Sequence, residues 1–439
     1  MCPVDKRPRG PSAARDMTDA RPKVLYVAAQ LPKRSETFVY RELFGLRDAG
    51  WSVDALSVRA PETDLEHERL DGLASEVVVL YRSMPKLLAG AIRELALRPL
   101  RTLGTVGAAL RLAVSPGDIR GAHRVKLAPQ LLGALAVAGE MRRRGVEHVH
   151  AHMAHVPTSV AMLLARQLRV PFSFTGHAVD IFSRRTLLLT KLKRAAFCAC
   201  ISEWHRGFYQ RELEAADAGR LDEFRLPVVR CGVDIDEFKP LESRRPGRVR
   251  MLTVGRLIEK KGFDLLLRAL AAQPEDAPDY ECVIMGGGDE AASLSALCAE
   301  LGLGDRVTFT GAVANHEVRD QLRHADVFVL PCRVAKSGDR DGIPVVLMEA
   351  MASGVPVIAG DIPSIRELVR DGESGLLVAP ESVGMLADAV ARLLGDGGAR
   401  ARLAVGGRAR VVEEFSLDRN VQRIAAAVER AHQPQPRSD

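Results

Sequence analysis

From Arg250 to Val378 the sequence alternates short apolar runs with longer amphipathic stretches, and no other feature limits its possible folds as much. The runs are Arg250–Val254, Glu281–Met285, Arg306–Thr310, Val327–Leu330, Pro356–Ala359 and Gly375–Val378. Apolar strands separated by helix-length segments cannot pair as hairpins, so they predict a parallel sheet with helices on both faces. The earlier part of the chain follows the same rule. Lys23–Ala29 (KVLYVAA) leads into an amphipathic segment that opens at Ser35-Glu36-Thr37 and closes at Gly50. Strand Ser52–Ser57 follows, with further strands at His148–Ala151, Pro171–Thr175 and Ala196–Ser202, while residues 82–113 read as helical throughout.

A chain of 439 residues is too long for one compact core. The expected fold class is α/β, with two Rossmann-like doubly wound parallel-sheet domains. Residues 1–20 read as a disordered tail, 21–238 as the first domain, 239–248 (KPLESRRPGR) as a linker and 249–415 as the second domain. A helix and tail at 416–439 are expected to pack back on the first domain. Because binding loops of doubly wound sheets lie at the carboxyl ends of the strands, two such domains should share one cleft.

Charge divides the chain unevenly. Residues 1–240 carry 37 Lys/Arg against 27 Asp/Glu, and 241–439 carry 25 against 29. Within the first half, residues 101–200 hold 15 basic and 4 acidic side chains, a surplus suited to phosphates or an anionic membrane. Aromatics are only 5% of the chain and do not interleave with the basic residues, which argues against nucleic acid as a partner. The seven cysteines form no C-x-x-C pair and are expected to be reduced. No apolar run approaches the roughly 18 residues of a membrane-spanning helix, and residues 1–20 lack the apolar stretch of a secretory signal. The expected location is therefore cytoplasmic.

Two stretches of the second domain carry chemistry. In Val254-Gly255-Arg256-Leu257-Ile258-Glu259-Lys260-Lys261-Gly262, Arg256 and Lys261 stand where a strand turns into a helix, an arrangement that suits a diphosphate. Alone, this stretch also reads as a solvated basic turn. In DGIPVVLMEAMASGVPV, starting at Asp341, Pro344 suits the first helical turn and Gly354 its end. Asp341 lies at the positive end of that helix, where it could grip sugar hydroxyls or cap the helix. Glu349 lies inside an apolar helix, where an unpartnered carboxylate would be costly, and it could hold a vicinal diol. His177 follows a strand end beside Gly176. His150, His152 and His155 form H-x-H-x-x-H, and no acidic residue within or just after it completes a metal site.

The R-x4-K pair, Asp341-x7-Glu349 and EAMASGVPVIAG together resemble the retaining, nucleotide-sugar-dependent GT-B glycosyltransferases of family 4. SETFVYREL at 35–43, HAHMAH at 150–155, PFSFTGHAVDIF at 171–182 and RCGVDIDEF at 230–238 are similar to the branch that builds exopolysaccharide and colanic-acid-like repeat units. The resemblance implies that Arg256 and Lys261 bind the donor diphosphate and that Glu349 holds the ribose. Asp341 takes the place of the family's first Glu at the donor sugar, with Gly342, Ile343 and Val345 at backbone contacts to sugar and phosphate. His177 is implied beside the donor sugar. His152, Ser35, Glu36 and Thr37 are expected on the acceptor side, the helix start at 35–37 replacing the Gly-rich turn that many members carry. Asp341 is one methylene shorter than the family's Glu.

Neither metal nor other cofactor is expected, because the implied mechanism is front-face transfer with fixed cations on the leaving phosphate. The implied partners are a nucleotide sugar, a glycan or polyprenyl-diphosphate-linked acceptor, and an anionic membrane surface met by the basic first domain, which would hold the protein peripherally on the inner face of the cell membrane. Two other readings of the same fold are a GT-B sugar-nucleotide epimerase and a non-catalytic two-domain sugar-binding protein.

Overall fold

The computed structural model of the protein describes residues 21–63, 67–114, 118–119, 124–178, 186–241 and 247–433. The tail expected at 1–20, residues 242–246 of the expected linker and Val179–Phe182 of the PFSFTGHAVDIF motif lie outside them.

The first half contains β1 (Val24–Gln30), α1 (Thr37–Asp48), β2 (Val53–Arg59), α2 (Glu68–Glu76), β3 (Val78–Val79), α3 (Met84–Leu97), α4 (Pro99–Val114) and α5 (Leu127–Arg143). It continues with β4 (His148–His152), α6 (Val156–Leu168), β5 (Phe172–Gly176), α7 (Leu188–Arg194), β6 (Cys198–Cys200) and α8 (Glu203–Ala215). The second half opens with β7 (Val249–Val254), a 3-10 turn at Glu259–Lys261, α9 (Phe263–Ala271), β8 (Tyr280–Met285), α10 (Ala291–Glu300), β9 (Val307–Gly311), α11 (Asn315–His324) and β10 (Val327–Leu330). Then come α12 (Val345–Ala352), β11 (Val357–Gly360), a 3-10 turn at Ile365–Glu367, β12 (Leu376–Val378), α13 (Val383–Gly395), α14 (Gly397–Glu414) and α15 (Leu417–Ala431).

These strands form two six-stranded parallel sheets, ordered β3-β2-β1-β4-β5-β6 and β12-β11-β10-β7-β8-β9. In each sheet the order reverses beside its first strand, which opens a crevice between β1 and β4 and another between β7 and β10. Two expectations change in detail. β3 is too short, at two residues, to show as a periodic run. Residues 82–113 are two helices, because Pro99 lacks the N–H needed to continue α3 and Arg98 leaves the helical region at φ −143°.

The first sheet buries a separate cluster on each face. One includes Leu25, Val149, Ala161 and Leu164, covered by α5 and α6. The other includes Val39 and Leu43 of α1 together with Val421, Ile424 and Val428 of α15, so the end of the chain covers the first domain. Gly45 makes that packing possible, since a Cβ there would stand 2.5 Å from Val421 Cγ2. The chain crosses between domains twice, side by side: Val233 N–H donates to Phe415 O (2.9 Å) and Leu417 N–H to Val233 O (2.8 Å). Val233 and Phe238 pack in the core of the second domain. The first domain therefore ends earlier than the expected residue 238, because the second core captures these side chains once the chain has crossed.

Candidate active site

The β7 end and the α12 start meet through an ion-pair cluster. Lys261, carried by the 3-10 turn, places Nζ 2.8 Å from Asp341 Oδ2, and Lys260 places Nζ 3.4 Å from Asp341 Oδ1 and 3.1 Å from Asp339 Oδ2. Cys332 Sγ donates to Asp341 Oδ2 at 3.3 Å. Burial works against charge on Asp341, but the two lysines outweigh it and hold the carboxyl below its ordinary range. Burial likewise opposes charge on Lys261, and Asp341 overcomes it to hold the ammonium above its usual value. Arg256 is exposed, with its charge close enough to oppose that of Lys261. Ser364 Oγ donates to the carbonyls of Asp341 and Gly342, both at 3.0 Å, which fixes the loop before α12.

That loop faces the first domain. A Cβ on Gly342 would meet Ile201 at 3.0 Å, His205 at 3.5 Å and Ala178 at 3.7 Å, so the glycine lies against the residue that follows His177. Ile343 is buried, Pro344 precedes α12, and Val345 is the first residue of that helix. Glu349, one helical level deeper, is buried and accepts from Arg41 Nη1 of α1 at 2.7 Å. A second α1 contact lies beside it, with Asn315 Nδ2 donating to Tyr40 Oη at 3.1 Å. The buried Glu349 thus has its partner, as the cost of an isolated charge requires.

Histidines of β4 and of the β5 end form the opposite wall. The two-residue strand period puts His148, His150 and His152 on one face, where β5 hydroxyls meet them. His148 Nε2 and His150 Nδ1 lie 2.7 and 2.8 Å from Ser173 Oγ, and His150 Nε2 lies 3.0 Å from Thr175 Oγ1. His152 Nδ1 is 3.3 Å from His177 Nε2, and its Nε2 is 3.2 Å from Glu42 Oε1, which also accepts from Tyr26 Oη at 2.6 Å. Burial first, and then neighbouring His152, keep the His177 pKa well below the usual histidine value. Phe38 packs against His177 in a tilted contact, ring centroids 4.5 Å apart.

The fold brings an acidic partner to the histidines from α1. Glu42, His150 and His152 offer ligand atoms that all lie within 4.8 Å of one another, and among the described residues they are the one group of this kind. Hydroxyls of Tyr26, Ser173 and Thr175 already occupy several of those atoms. His155 stands apart from the trio, its Nδ1 accepting from Val156 N–H at the start of α6. Of the expected helix start, Ser35 is exposed and Glu36 is paired with Lys33, while Thr37 begins α1. The residues of α1 that reach the cleft are instead Phe38, Arg41 and Glu42.

Residues 234–410 match the family described as Glycosyl transferases group 1. WcaL of Salmonella typhimurium, named for colanic acid biosynthesis, is 30% identical, and the match covers 82% of this chain and 87% of WcaL. The chain belongs to this glycosyltransferase family. Membership removes the reading of a non-catalytic sugar-binding protein. The amylovoran biosynthesis glycosyltransferase AmsK of Erwinia amylovora is 29% identical over 93% of this chain and 99% of its own. HepE of Anabaena, solved in complex with UDP, has the same fold at a TM-score of 0.67 and 18% identity, covering 93% of this chain and all of that one.

Sequence reasoning missed some cleft residues of this glycosyltransferase. Arg41 and Glu42 sit in SETFVYREL and look like ordinary helix surface until the fold closes over them. The run Gly286-Gly287-Gly288 after β8 is a sequence signal that was not singled out, and it lies against the end of β7. A Cβ on Gly286 would stand 1.9 Å from Gly255 O, and one on Gly288 2.4 Å from Leu257 O. Gly286 and Gly288 have positive φ (145° and 159°), so the β7 and β8 loops interlock by backbone alone.

Proposed function

We propose that this glycosyltransferase moves a sugar from a nucleoside diphosphate sugar to a glycan or lipid-linked acceptor during exopolysaccharide assembly, with retention at the anomeric carbon. The carrying observation is the wall formed by Lys261, Asp341 and Gly342 against the His177–Ala178 segment. It joins fixed cations to a buried histidine across one cleft. Arg256 and Lys261 take the donor diphosphate, and Glu349 takes the ribose after exchanging Arg41 for the diol. Asp341 keeps Lys261 charged and holds both lysines in place, and its short side chain leaves the sugar hydroxyls to contacts from the α12 start at Gly342, Ile343 and Val345. His177, neutral at working pH, lies at the donor sugar.

In the step itself the bond between anomeric carbon and phosphate oxygen breaks, and the acceptor oxygen bonds to the same face of that carbon. The acceptor proton passes to the departing phosphate oxygen while Arg256 and Lys261 stabilise its charge. Metal is not needed for this, since two cations already stand on the leaving group. The names of AmsK and WcaL support the polymer class, and HepE with UDP supports a nucleotide-bound donor.

A membrane surface enters through α3 and α4. They expose Ile92 (66%), Leu100 (85%), Leu103 (59%), Leu110 (62%) and Val114 (71%) beside Arg93, Arg98 and Arg101. Among the described residues no helix is long and apolar enough to cross a membrane. An apolar stripe rimmed by cations fits the interface of an anionic leaflet, where each cation contributes about 1 kcal/mol.

The test is a panel of nucleotide sugars incubated with enzyme and a saccharide acceptor, read by nucleoside diphosphate release and by NMR of the product linkage. One donor should be turned over with its anomeric configuration kept. Release from none of the panel, an inverted product, or an epimerised donor with no product would overturn the proposal.

A further inference from the structure

One cavity of the protein lies away from the cleft. It is a basin of about 840 Å³ at the amino ends of β5 and β6, whereas the cleft lies at their carboxyl ends. Its floor is apolar, with Met162, Leu163, Pro171 and Phe172, and its rim carries Arg166, Arg169, Lys193, Arg194 and Arg225. Among the described residues no acidic one lines it.

Five cations around one concavity repel one another unless something negative joins them. Elsewhere the protein pairs such groups, for example Arg142 with Glu94 at 2.8 Å and Arg230 with Glu367 at 3.2 Å. Among the described residues none of the five basin cations has a carboxylate within 4.0 Å. Arg166 and Arg225 spend donors on backbone carbonyls instead: Arg166 on Gly104 O at 3.3 Å, and Arg225 on Leu192 O and Lys193 O at 3.1 and 3.0 Å. Arg225 Nε is buried with no partner. Partial burial, then the charges of Arg166 and Arg111, lower the pKa of Arg194.

The basin adjoins the exposed stripe of α4. Arg166 bonds Gly104 O and Arg101 Nη1 bonds Gln167 O at 3.4 Å, so the first turns of α4, with Leu100 and Leu103, flank it. At its other end, α4 leads toward Asp118, whose carboxylate accepts from Leu189 and Thr190 N–H at the start of α7, on the cleft side of the domain. A helix of 16 residues is about 24 Å long, so one apolar stripe links basin and cleft side.

We propose that the basin binds the phosphate headgroup of an anionic lipid while the α4 stripe lies on the bilayer. The site rests on the membrane reading above and adds to it a specific seat with a preferred ligand. Guanidinium groups favour phosphate through paired N–H donors, so an exposed phosphomonoester should be preferred over a carboxylate-bearing headgroup of equal charge. An occupied basin would orient the domain on the leaflet and bring the cleft toward a lipid-linked acceptor.

The full-length protein is sedimented with phosphatidylcholine vesicles containing either phosphatidic acid or phosphatidylserine at matched surface charge. Arg166→Ala/Arg194→Ala and Leu100→Ser/Leu103→Ser variants are run beside it, each checked by circular dichroism and by transfer to a soluble acceptor. The wild type should prefer phosphatidic acid. The arginine variant should lose that preference and bind such vesicles about thirtyfold more weakly, with soluble transfer unchanged. An arginine variant that binds like wild type while the leucine variant detaches would overturn the basin and leave the membrane reading standing. Equal binding to the two lipids, or inorganic pyrophosphate binding as tightly as the vesicles, would also overturn it. Failure of the wild type to bind any anionic vesicle would remove both.

Discussion

Arg41 of the first domain and Glu349 of the second form a 2.7 Å ion pair across the cleft, with both side chains about nine-tenths buried. The pair ties α1 to α12 through the carboxylate proposed above to hold the donor ribose. Donor binding must therefore exchange one partner of Glu349 for another, and the cost of opening this pair belongs to the donor affinity.

Glu349→Gln keeps an acceptor for Arg41 but removes the charge. A charge-assisted hydrogen bond contributes about 1.5–3 kcal/mol, so nucleotide affinity should fall about 10- to 150-fold. Titration calorimetry with the nucleoside diphosphate of the active donor measures this. Unchanged affinity, in a variant that melts like wild type, would remove Glu349 from the donor site.

Lys261→Ala should lower kcat about 10²–10³-fold, the usual cost of deleting one preorganised donor at a developing negative charge. The pair also sets a pH window for stability. Asp341, its carboxyl depressed in the folded protein, contributes stability above its unfolded value of about 3.9, and that stability fades as pH falls through the folded value. Lys261, raised in the folded protein, contributes below about 10.4 and loses this as pH rises through its folded value. In Asp341→Asn both pH dependences should weaken, which denaturant titrations at acidic and alkaline pH can measure.

Most of the frame was legible from residue patterns, because buried parallel strands are continuous apolar runs and helix boundaries carry Pro and Gly. Pro344 and Gly354 bound α12 as their chemistry requires, Gly354 adopting φ +67° just past the helix. The opposite wall was less legible. Arg41 meets a residue 308 positions away and Glu42 one 110 positions away, so no local periodicity marks either, and the SETFVYREL motif that contains both does not show these partners. Asp341 shows a subtler limit. Its position was visible, but its attachment to Lys260 as well as Lys261 follows from a 3-10 turn that presents adjacent lysines to one carboxylate.

Acid should destabilise the first domain through its neutral histidines. Burial holds His148 at about 3, and His150 and His177 well below the ordinary value. His205, near the cleft, is also held at about 3 by burial. Unfolded histidine titrates near 6.5, so below that pH the unfolded chain binds more protons and stability falls. Each such histidine removes up to about 1.4 kcal/mol per pH unit until its folded value is reached. Urea midpoints measured from pH 7.5 downward should drop most steeply below pH 6.5, and a flat profile would contradict the burial of this ladder.

Transfer should survive chelation. In the proposed mechanism Arg256 and Lys261 supply the charge that a divalent ion supplies in other phosphate-leaving reactions. Turnover in EDTA should match turnover in Mg²⁺ within about twofold. Loss of activity in EDTA that returns with added metal would instead direct attention to Glu42, His150 and His152, the described residues whose ligand atoms already cluster.

The hydrogen-bond order around His152 predicts a tautomer for His177. Glu42 Oε1 receives the Tyr26 hydroxyl proton and, as a carboxylate, can only accept from His152 Nε2. With a single proton on its ring, His152 carries it on Nε2 and presents a lone pair at Nδ1. His177 Nε2, 3.3 Å away, must donate to it, which leaves Nδ1 of His177 unprotonated. Glu42 thus positions His177 through His152. Two-bond ¹⁵N–¹H spectra of histidine-labelled protein should show both rings protonated on Nε2. In Glu42→Gln the amide can donate as well as accept, so the order is no longer enforced and a second tautomer should appear, with kcat reduced about tenfold and donor KM little changed. Wild-type His177 protonated on Nδ1 would break this chain at its last link, whatever the activity of the variant.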